Sequence, residues 1–266
     1  MSISRRELLQ AGVAIGVAAR AGLTADAAAD DRPLLGLIAP PKDYPVPPEA
    51  LALYGSQIRF TVYGLGLPTM TPAGYDSVID KIVPAAVQQA KSGAKSVNIF
   101  GTSLTFYKGA AFNQKLIDDV RKATGLPTTS MSTAVVDGLR AVNAKRVAVA
   151  TAYNDEVNRR LHTFLEESGF QVLAMKGLGL EAIVDPAKVT QSSLVTFSAD
   201  VFKTAPKADA LFVSCGGLRT LEILAPLEHE CRVPVVSSTP HALWASMRLL
   251  GLHVKAPAYG RLLANG

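Results

Sequence analysis

Short apolar runs alternate with helical patterns along most of this chain, and that alternation constrains the fold more than any other feature. Runs such as "LLGLIA" (34–39) and "ALFVS" (210–214) have the length of buried strands. Stretches such as 110–123 and 155–168 repeat apolar residues at helical spacing. Strands that alternate with helices form parallel sheets with helices on both faces. The sequence therefore predicts an α/β fold.

The same reading places the individual elements. Buried strands are predicted at 34–39, 96–100, 146–152, 210–214 and 233–237. Helices are predicted at 72–92, 110–123, 132–142, 155–168, 187–204, 218–230 and 240–250.

The order of these pieces occurs twice. "KSVNIFGTSL" leads into a helix and then into "TGLPTTSMSTAVV", while "ADALFVSCGGL" leads into a helix and then into "CRVPVVSSTPHAL". Both series run strand, small polar loop, helix, proline, strand, Ser/Thr cap, helix. We therefore expect two pseudo-symmetric three-layer α/β/α halves, 29–145 and 146–266, with mainly parallel sheets and an active site in the cleft between them.

The first residues have the composition of a targeting segment. "SRRELLQAGVAIGVAARAGLTADAAAD" pairs Arg5 with Arg6 and continues through a short apolar stretch to small residues. This pattern predicts a twin-arginine-type export signal over 1–28, cleaved near Ala27 or Ala28, with the export machinery as a partner and a periplasmic location. A disordered or anchored N-terminal helix is the alternative. The apolar stretch is too short for a membrane span, and no membrane association is expected of the mature form.

The charge pattern does not indicate that the protein binds nucleic acid. The formal net charge is +5, and the basic residues are scattered rather than interleaved with aromatic residues along a stripe. Nucleic acid is therefore not predicted as a partner.

The proposed symmetry places the loop "FGTSL" (100–104) opposite the loop "SCGGL" (214–218). Gly101 then corresponds to Cys215, so one side of the cleft carries a thiol and the other side carries none. Cys215 is either a reactive thiol before a helix N-terminus or a small buried apolar residue. Cys231, the other cysteine, is expected to be structural. A predicted helix separates the two, which argues against a disulfide.

Hydroxyl groups follow the predicted strands. Thr102 and Ser103 could donate hydrogen bonds to a carboxylate, or could cap a helix. Tyr153 ends another strand, where its phenol could be a further donor or could simply pack at the surface.

Searches for cofactor and metal motifs give no match. The four histidines lack ligand spacing, and "YGLGLPT" (63–69) lacks the third glycine of a dinucleotide fingerprint. A P-loop and a G-x-S-x-G elbow are also absent from the sequence. We therefore predict neither a metal nor a cofactor.

Several segments resemble a known family. "YGLGLPTMTPAGYD", "GTSLTFYKGAAFN", "TGLPTTSMSTAVVDGLRA", "VAVATAYNDEVN", "SCGGL", "VPVVSS" and "PAYGRLL" occur in order between 33 and 263. Together they resemble the bacterial arylmalonate decarboxylases of the aspartate/glutamate racemase superfamily. That superfamily has a duplicated α/β fold, and its racemases carry one cysteine in each half. Gly101 and Cys215 follow the decarboxylase pattern, in which the second cysteine alone is present.

The resemblance implies roles for further residues. Thr102, Ser103 and Tyr153 would hold the carboxylate that is retained, with help from backbone N–H groups near Ser103 and Gly216. The other implied positions form walls of the site: Pro40 and Pro41 shape one side, Leu65 and Leu104 surround the departing carboxylate, and Ile183 or Val184 fills the remainder.

The implied activity is the cofactor-free, enantioselective decarboxylation of a small dicarboxylate, an arylmalonate-like disubstituted malonate. An enediolate would form and take a proton from Cys215. A racemase or cis-trans isomerase of the same superfamily is the alternative enzyme. A periplasmic solute-binding protein is the alternative outside enzymes, because two α/β halves around a cleft also suit solute capture.

Overall fold

The structure is a computed structural model that describes residues 30–266. The export signal predicted for 1–28 lies outside the described residues. The description below concerns the compact unit Arg32–Gly266.

Eight strands form two sheets of four. The strands are β1 (Leu34–Ala39), β2 (Arg59–Gly64), β3 (Ser96–Ile99), β4 (Thr128–Ser130), β5 (Arg146–Thr151), β6 (Gln171–Gly177), β7 (Ala210–Ser214) and β8 (Val235–Ser237). The helices are α1 (Pro48–Tyr54), α2 (Pro72–Asp76), α3 (Ile82–Lys91), α4 (Thr102–Phe106), α5 (Ala110–Thr124), α6 (Met131–Ala141), α7 (Asp155–Glu167), α8 (Gln191–Lys203), α9 (Leu224–Cys231), α10 (Ser238–Leu249) and α11 (Arg261–Asn265). Short 3-10 turns lie at Ile79–Lys81, Pro186–Lys188, Leu221–Ile223 and Pro257–Tyr259.

The two sheets repeat one topology. The first has the order β2-β1-β3-β4 and the second has the order β6-β5-β7-β8, and every pairing is parallel. Adding four to each strand number of the first sheet gives the second, as a duplication requires. The predicted fold class, two α/β halves with parallel sheets flanked by helices, is confirmed.

The strands absent from the predicted list, β2, β4 and β6, are all edge strands. β2 and β6 lie at the outer edge of their sheets, and most of their residues are partly or fully exposed. Strands buried on both faces read as continuous apolar runs, whereas "RFTVYG" and "QVLAMKG" mix polar with apolar residues. The periodicity signal therefore marked the central strands β1, β3, β5 and β7, together with the apolar edge strand β8.

Two predicted helices are shorter than expected. The helix predicted at 72–92 is broken between α2 and α3, and Pro84 lies in the first turn of α3, where its missing N–H is tolerated. The helix predicted at 218–230 begins only at Leu224, after a loop and a 3-10 turn. The thiol of Cys215 therefore does not directly precede a helix, contrary to expectation.

Two helices cross between the halves. α6 packs against α10, α10 also contacts β3 and β4 of the first sheet, and α6 contacts β8 of the second sheet. Within this junction Asn98 Nδ2 donates to Ala242 O at 3.1 Å and to Ser246 Oγ at 2.8 Å. These bonds join β3 of one half to α10 of the other.

A second link joins α1 of the first half to the loop after β7. The Glu49 carboxylate accepts hydrogen bonds from the backbone N–H of Thr220 at 2.8 Å and of Leu221 at 2.9 Å. The pKa of Glu49 is raised to about 7, mainly by burial and in smaller part by neighbouring Glu222, although the two N–H groups and Arg219 oppose the shift. The Glu49 side chain thus fixes the loop that carries Cys215.

No helix among residues 30–266 combines the length and the apolar character that a membrane crossing requires.

Replacing Asn98 should weaken the junction. Asn98→Ala removes two buried hydrogen bonds, and we expect the free energy of unfolding to fall by about 2 kcal/mol. Denaturant titration would measure this. The matched control is Ser96→Ala on the same strand, because the buried Ser96 hydroxyl lacks a hydrogen-bond partner among the described residues. The control should be as stable as the parent chain, and equal losses in both variants would contradict the interpretation.

Glu49 should make stability depend on pH. Because its folded pKa of about 7 exceeds the 4.5 of a solvent-exposed glutamate, the native state holds the proton more tightly than the unfolded state does. Stability from this group is complete below pH 4.5 and is lost as the pH rises toward 7, by on the order of 2–3 kcal/mol. Glu49→Gln should remove that decline in melting temperature, whereas Glu222→Gln removes only a minor cause of the raised pKa and should retain most of the decline. A decline that persists in Glu49→Gln would assign it to another group.

Candidate active site

A cavity of about 360 Å³ lies where the carboxyl ends of β1, β3 and β7 meet. The loop after each strand supplies part of its wall: Pro40 and Pro41 after β1, Phe100 to Ser103 after β3, and Cys215 to Arg219 after β7. In parallel sheets this edge is where loops from different strands converge. The expected cleft therefore exists, and both halves contribute to it.

Cys215 has an unusual backbone conformation. Its φ is +146°, a value that residues with a side chain rarely adopt. The backbone N–H of Cys215 donates to Ser238 Oγ at 3.1 Å, which helps to hold this conformation. The side chain lines the cavity and is 5% exposed.

The thiol of Cys215 keeps its proton. Burial raises its pKa to about 11, and hydrogen bonds from the Gly217 N–H and the Tyr153 hydroxyl lower the pKa only in part. The alternative of an inert core cysteine is not favoured, because the sulfur faces a cavity. At neutral pH the group is an acid rather than a thiolate nucleophile.

Gly101 lines the same cavity from the loop after β3. A Cβ added there would approach Pro40 Cγ to 2.6 Å and Leu104 Cβ to 3.2 Å. The position is therefore closely packed, and any side chain requires Pro40 to shift. The thiol of Cys215 has no counterpart at this position.

Thr102 and Ser103 begin α4 and also line the cavity. Thr102 Oγ1 lies 2.8 Å from Ser238 Oγ and 2.8 Å from Met131 Sδ. No side-chain cap hydrogen bond occurs at the start of α4, so helix capping is not what these hydroxyls do. They are available to a ligand in the cavity.

Two buried phenols stand behind Ser103. The Tyr153 hydroxyl accepts a hydrogen bond from Ser214 at 3.3 Å and also interacts with Ser103 and Cys215. The Tyr75 hydroxyl is near Ser103 and Cys215 but lacks a hydrogen-bond partner of standard geometry among the described residues. Burial raises the pKa of both phenols, so both remain neutral donors.

The apolar wall differs in detail from the expectation. Leu67 and Met70 line the cavity together with Pro40 and Pro41, whereas Leu65 is buried elsewhere. The Leu65 N–H still pairs with Ala39 O at the end of the sheet, while the Leu67 N–H bonds to Pro40 O at the cavity edge.

Leu104 is likewise buried outside the wall, packed within α4. Tyr153 is fully buried and also does not line the cavity, although it reaches the Cys215 sulfur. Ile183 and Val184 do contribute to the wall, and Met70 N–H bonds to Glu181 O, which holds their segment in place. Gly216 is a lining residue too.

Six residues of this site were not singled out from the sequence, among them Leu67 and Tyr75, which are described above. Tyr44 donates from its hydroxyl to Gly216 O at 3.3 Å, Glu49 and Met70 line the cavity, and Ser238 contacts Thr102 and Cys215. The one available signal was proximity in sequence to the "PP", "TPAGYD" and "VPVVSS" segments. Their functional placement depends on contacts between distant segments.

The chemistry of the residues limits what the site can bind. Among residues 30–266, no group of three or more His, Cys, Asp and Glu side chains is placed to hold a metal ion. The cavity instead combines hydroxyl donors, a protonated thiol on one wall and an apolar surface, and the ionisable residues Asp43, Glu49, Arg219 and Glu222 line the rest of it. Such an arrangement can hold a carboxylate and deliver a proton to one face of a bound molecule.

Comparison with known proteins assigns the family. The family model described as arylmalonate decarboxylase matches residues 35–263. The arylmalonate decarboxylase of Bordetella bronchiseptica is 46% identical over 231 residues, 86% of this chain and 96% of that protein. A crystal structure of a double mutant of arylmalonate decarboxylase, in the liganded form, aligns with a TM-score of 0.84 and 44% identity over 86% of this chain and 98% of that chain.

A more distant relative represents the wider superfamily. The maleate isomerase of Nocardia farcinica is 24% identical over 86% of this chain and 94% of that protein. The resemblance stated from the sequence is thereby confirmed. This chain belongs to the arylmalonate decarboxylase family and is a carboxy-lyase.

Proposed function

We propose that this enzyme decarboxylates disubstituted malonates that carry an aryl or other conjugating substituent, and that Cys215 protonates the intermediate on one face. The observation that carries the proposal is the asymmetry of the cavity: a protonated thiol lies at Cys215, and Gly101 lies at the corresponding position of the other half.

In the first step one carboxylate of the substrate accepts hydrogen bonds from Thr102 and Ser103, with the Tyr153 phenol behind them. The other carboxylate lies against Leu67 and Met70, where a charge is poorly solvated. The bond between the α-carbon and this carboxylate breaks, carbon dioxide leaves, and the electron pair passes to the retained carboxylate as an enediolate.

The donors act mainly on this intermediate. Negative charge on the retained carboxylate increases as the carbon–carbon bond breaks, so hydrogen bonds aimed at it strengthen in the transition state. Removing a single donor of this kind costs about 2.7–4 kcal/mol in comparable sites. An aryl substituent disperses the remaining charge on the α-carbon, which explains the preference for conjugating groups.

In the second step the Cys215 S–H proton moves to the α-carbon, and the thiolate recovers a proton from water. A thiol whose pKa is about 11 is fully protonated at neutral pH and is ready for this step. Because Gly101 offers no acid on the opposite face, a single product enantiomer is expected.

The solute-binding alternative does not account for a protonated thiol in the cavity wall, and the relatives compared above are enzymes. The proposal can be tested with 2-methyl-2-phenylmalonate, whose product, 2-phenylpropionate, is chiral.

The thiol at Cys215 should be needed for turnover. Cys215→Ala should lower the rate of carbon dioxide release by 10²–10⁴-fold, the usual contribution of a general acid, and should reduce the optical purity of the product. The control is Cys231→Ala, which removes the other free buried thiol and should leave rate and stereochemistry unchanged. Full activity in Cys215→Ala would refute the acid role.

A second thiol should create a second reactive face. Gly101→Cys is expected to exchange the α-hydrogen of 2-phenylpropionate in deuterated water and to racemise it, once Pro40 shifts to admit the side chain. Gly101→Ser adds a similar volume without an acidic thiol and should do neither. If the parent enzyme itself racemised 2-phenylpropionate, the racemase alternative would replace the decarboxylase proposal.

A further inference from the structure

Ser238 joins the two halves of the site through one hydroxyl group. It is the first residue of α10, and it is fully buried. Its Oγ accepts a hydrogen bond from the Cys215 backbone N–H at 3.1 Å and lies 2.8 Å from Thr102 Oγ1. The same atom therefore contacts the loop of the acid and the hydroxyl that faces the substrate carboxylate.

The hydroxyl groups of Thr102 and Ser238 each have only one proton to donate. A serine or threonine hydroxyl has one proton and two acceptor lone pairs. Without a ligand, Thr102 donates its proton to Ser238 or to Met131 Sδ, which is a weak acceptor. Ser238 Oγ is the acceptor in both of its hydrogen bonds, and among the described residues its own proton has no acceptor in the absence of a ligand.

A carboxylate in the cavity changes the direction of these bonds. A charged oxygen is a stronger acceptor than a hydroxyl or a thioether, so the Thr102 proton turns to the ligand. The Thr102 oxygen is then free to accept, and the Ser238 proton turns to it. A chain of this kind strengthens the terminal hydrogen bond, because each donor polarises the next.

The other contact of Ser238 acts on the acid. Cys215 has a φ of +146°, which the surrounding structure must maintain. The hydrogen bond from the Cys215 N–H to Ser238 Oγ is a direct restraint on that backbone, and it persists whichever way the Ser238 proton points.

We propose that Ser238 is a positioning residue that strengthens the Thr102 hydrogen bond to the enediolate and fixes the Cys215 backbone relative to it. This inference rests on the proposed function. The role is realised mainly in the transition state, because the charge on the retained carboxylate is greatest there.

The first experiment compares two neighbouring serines. Ser238→Ala should lower kcat for 2-methyl-2-phenylmalonate about tenfold with little change in KM, a smaller loss than the 10²–10³-fold typical of a direct oxyanion donor. Ser238→Thr restores a hydroxyl and should recover most of the rate. The control is Ser237→Ala, because the equally buried Ser237 hydroxyl bonds to Thr220 instead; its kcat should equal that of the parent.

The second experiment is a double-mutant cycle with Thr102→Val. If Ser238 acts on the rate largely through Thr102, then Ser238→Ala should cost much less in the Thr102→Val background than in the parent. Additive losses would overturn the relay, as would equal kcat values for Ser238→Ala and Ser237→Ala.

Further measurements distinguish the loss of the Ser238 role from a loss of stability and from a failure of the proposed function. Melting temperatures identify any variant that is merely unstable, and Ser238→Cys, which keeps the side-chain volume but is a weaker donor, should then show an intermediate loss of kcat. A parent enzyme that releases no carbon dioxide from any arylmalonate would refute the proposed function. Normal turnover by the parent and unchanged kcat in both Ser238→Ala and Ser238→Cys would refute the Ser238 role alone.

Discussion

The contact on which the site depends is the pair of hydrogen bonds at Ser238, between Thr102 of one half and the Cys215 backbone of the other. Each half alone presents only the carboxyl edge of a parallel sheet. The crossing of α6 and α10 brings the two edges together, and α10 begins at the point where the loops meet. The donor and the acid therefore have a fixed separation because both are tied to the same helix start.

Burial determines the chemistry available at this junction. It raises the pKa of Cys215, Tyr75, Tyr153 and Glu49, so the phenols and the thiol stay protonated at neutral pH. Neutral phenols and a protonated thiol beside the bound carboxylate suit a dianionic substrate better than phenolates or a thiolate would. The same burial that disfavours charge on the protein also disfavours charge on the carboxylate that lies against the apolar wall.

The difference between the two duplicated halves determines which face of the intermediate can be protonated in the proposed mechanism. The loops after β3 and β7 occupy corresponding places, yet one contains Gly101 packed against Pro40 and the other contains Cys215. A symmetric scaffold with an asymmetric pair of residues can treat the two faces of a planar enediolate differently. In the proposed mechanism the stereochemistry thus follows from one position in each half.

Sequence reasoning succeeded where the local pattern was strong. The central strands β1, β3, β5 and β7 are continuous apolar runs and were all predicted. It failed for the edge strands β2 and β6, whose half-exposed residues carry no clear period. The family resemblance also implied Leu65 where the cavity has Leu67, because the two leucines of "GLGLP" are distinguished only by where the sheet ends.

By itself, then, the sequence determined the duplication, the fold class and the contrast between Gly101 and Cys215. Each of these can be recognised from short segments of the chain without knowing which segments pack together. Only the tertiary structure decided that Tyr75, Glu49 and Ser238 belong to the site and that the Cys215 thiol is an unusually weak acid. Thr102 and Ser238 are 136 positions apart. Their contact, and the exclusion of water that shifts each pKa, exist only after the two sheets have packed together.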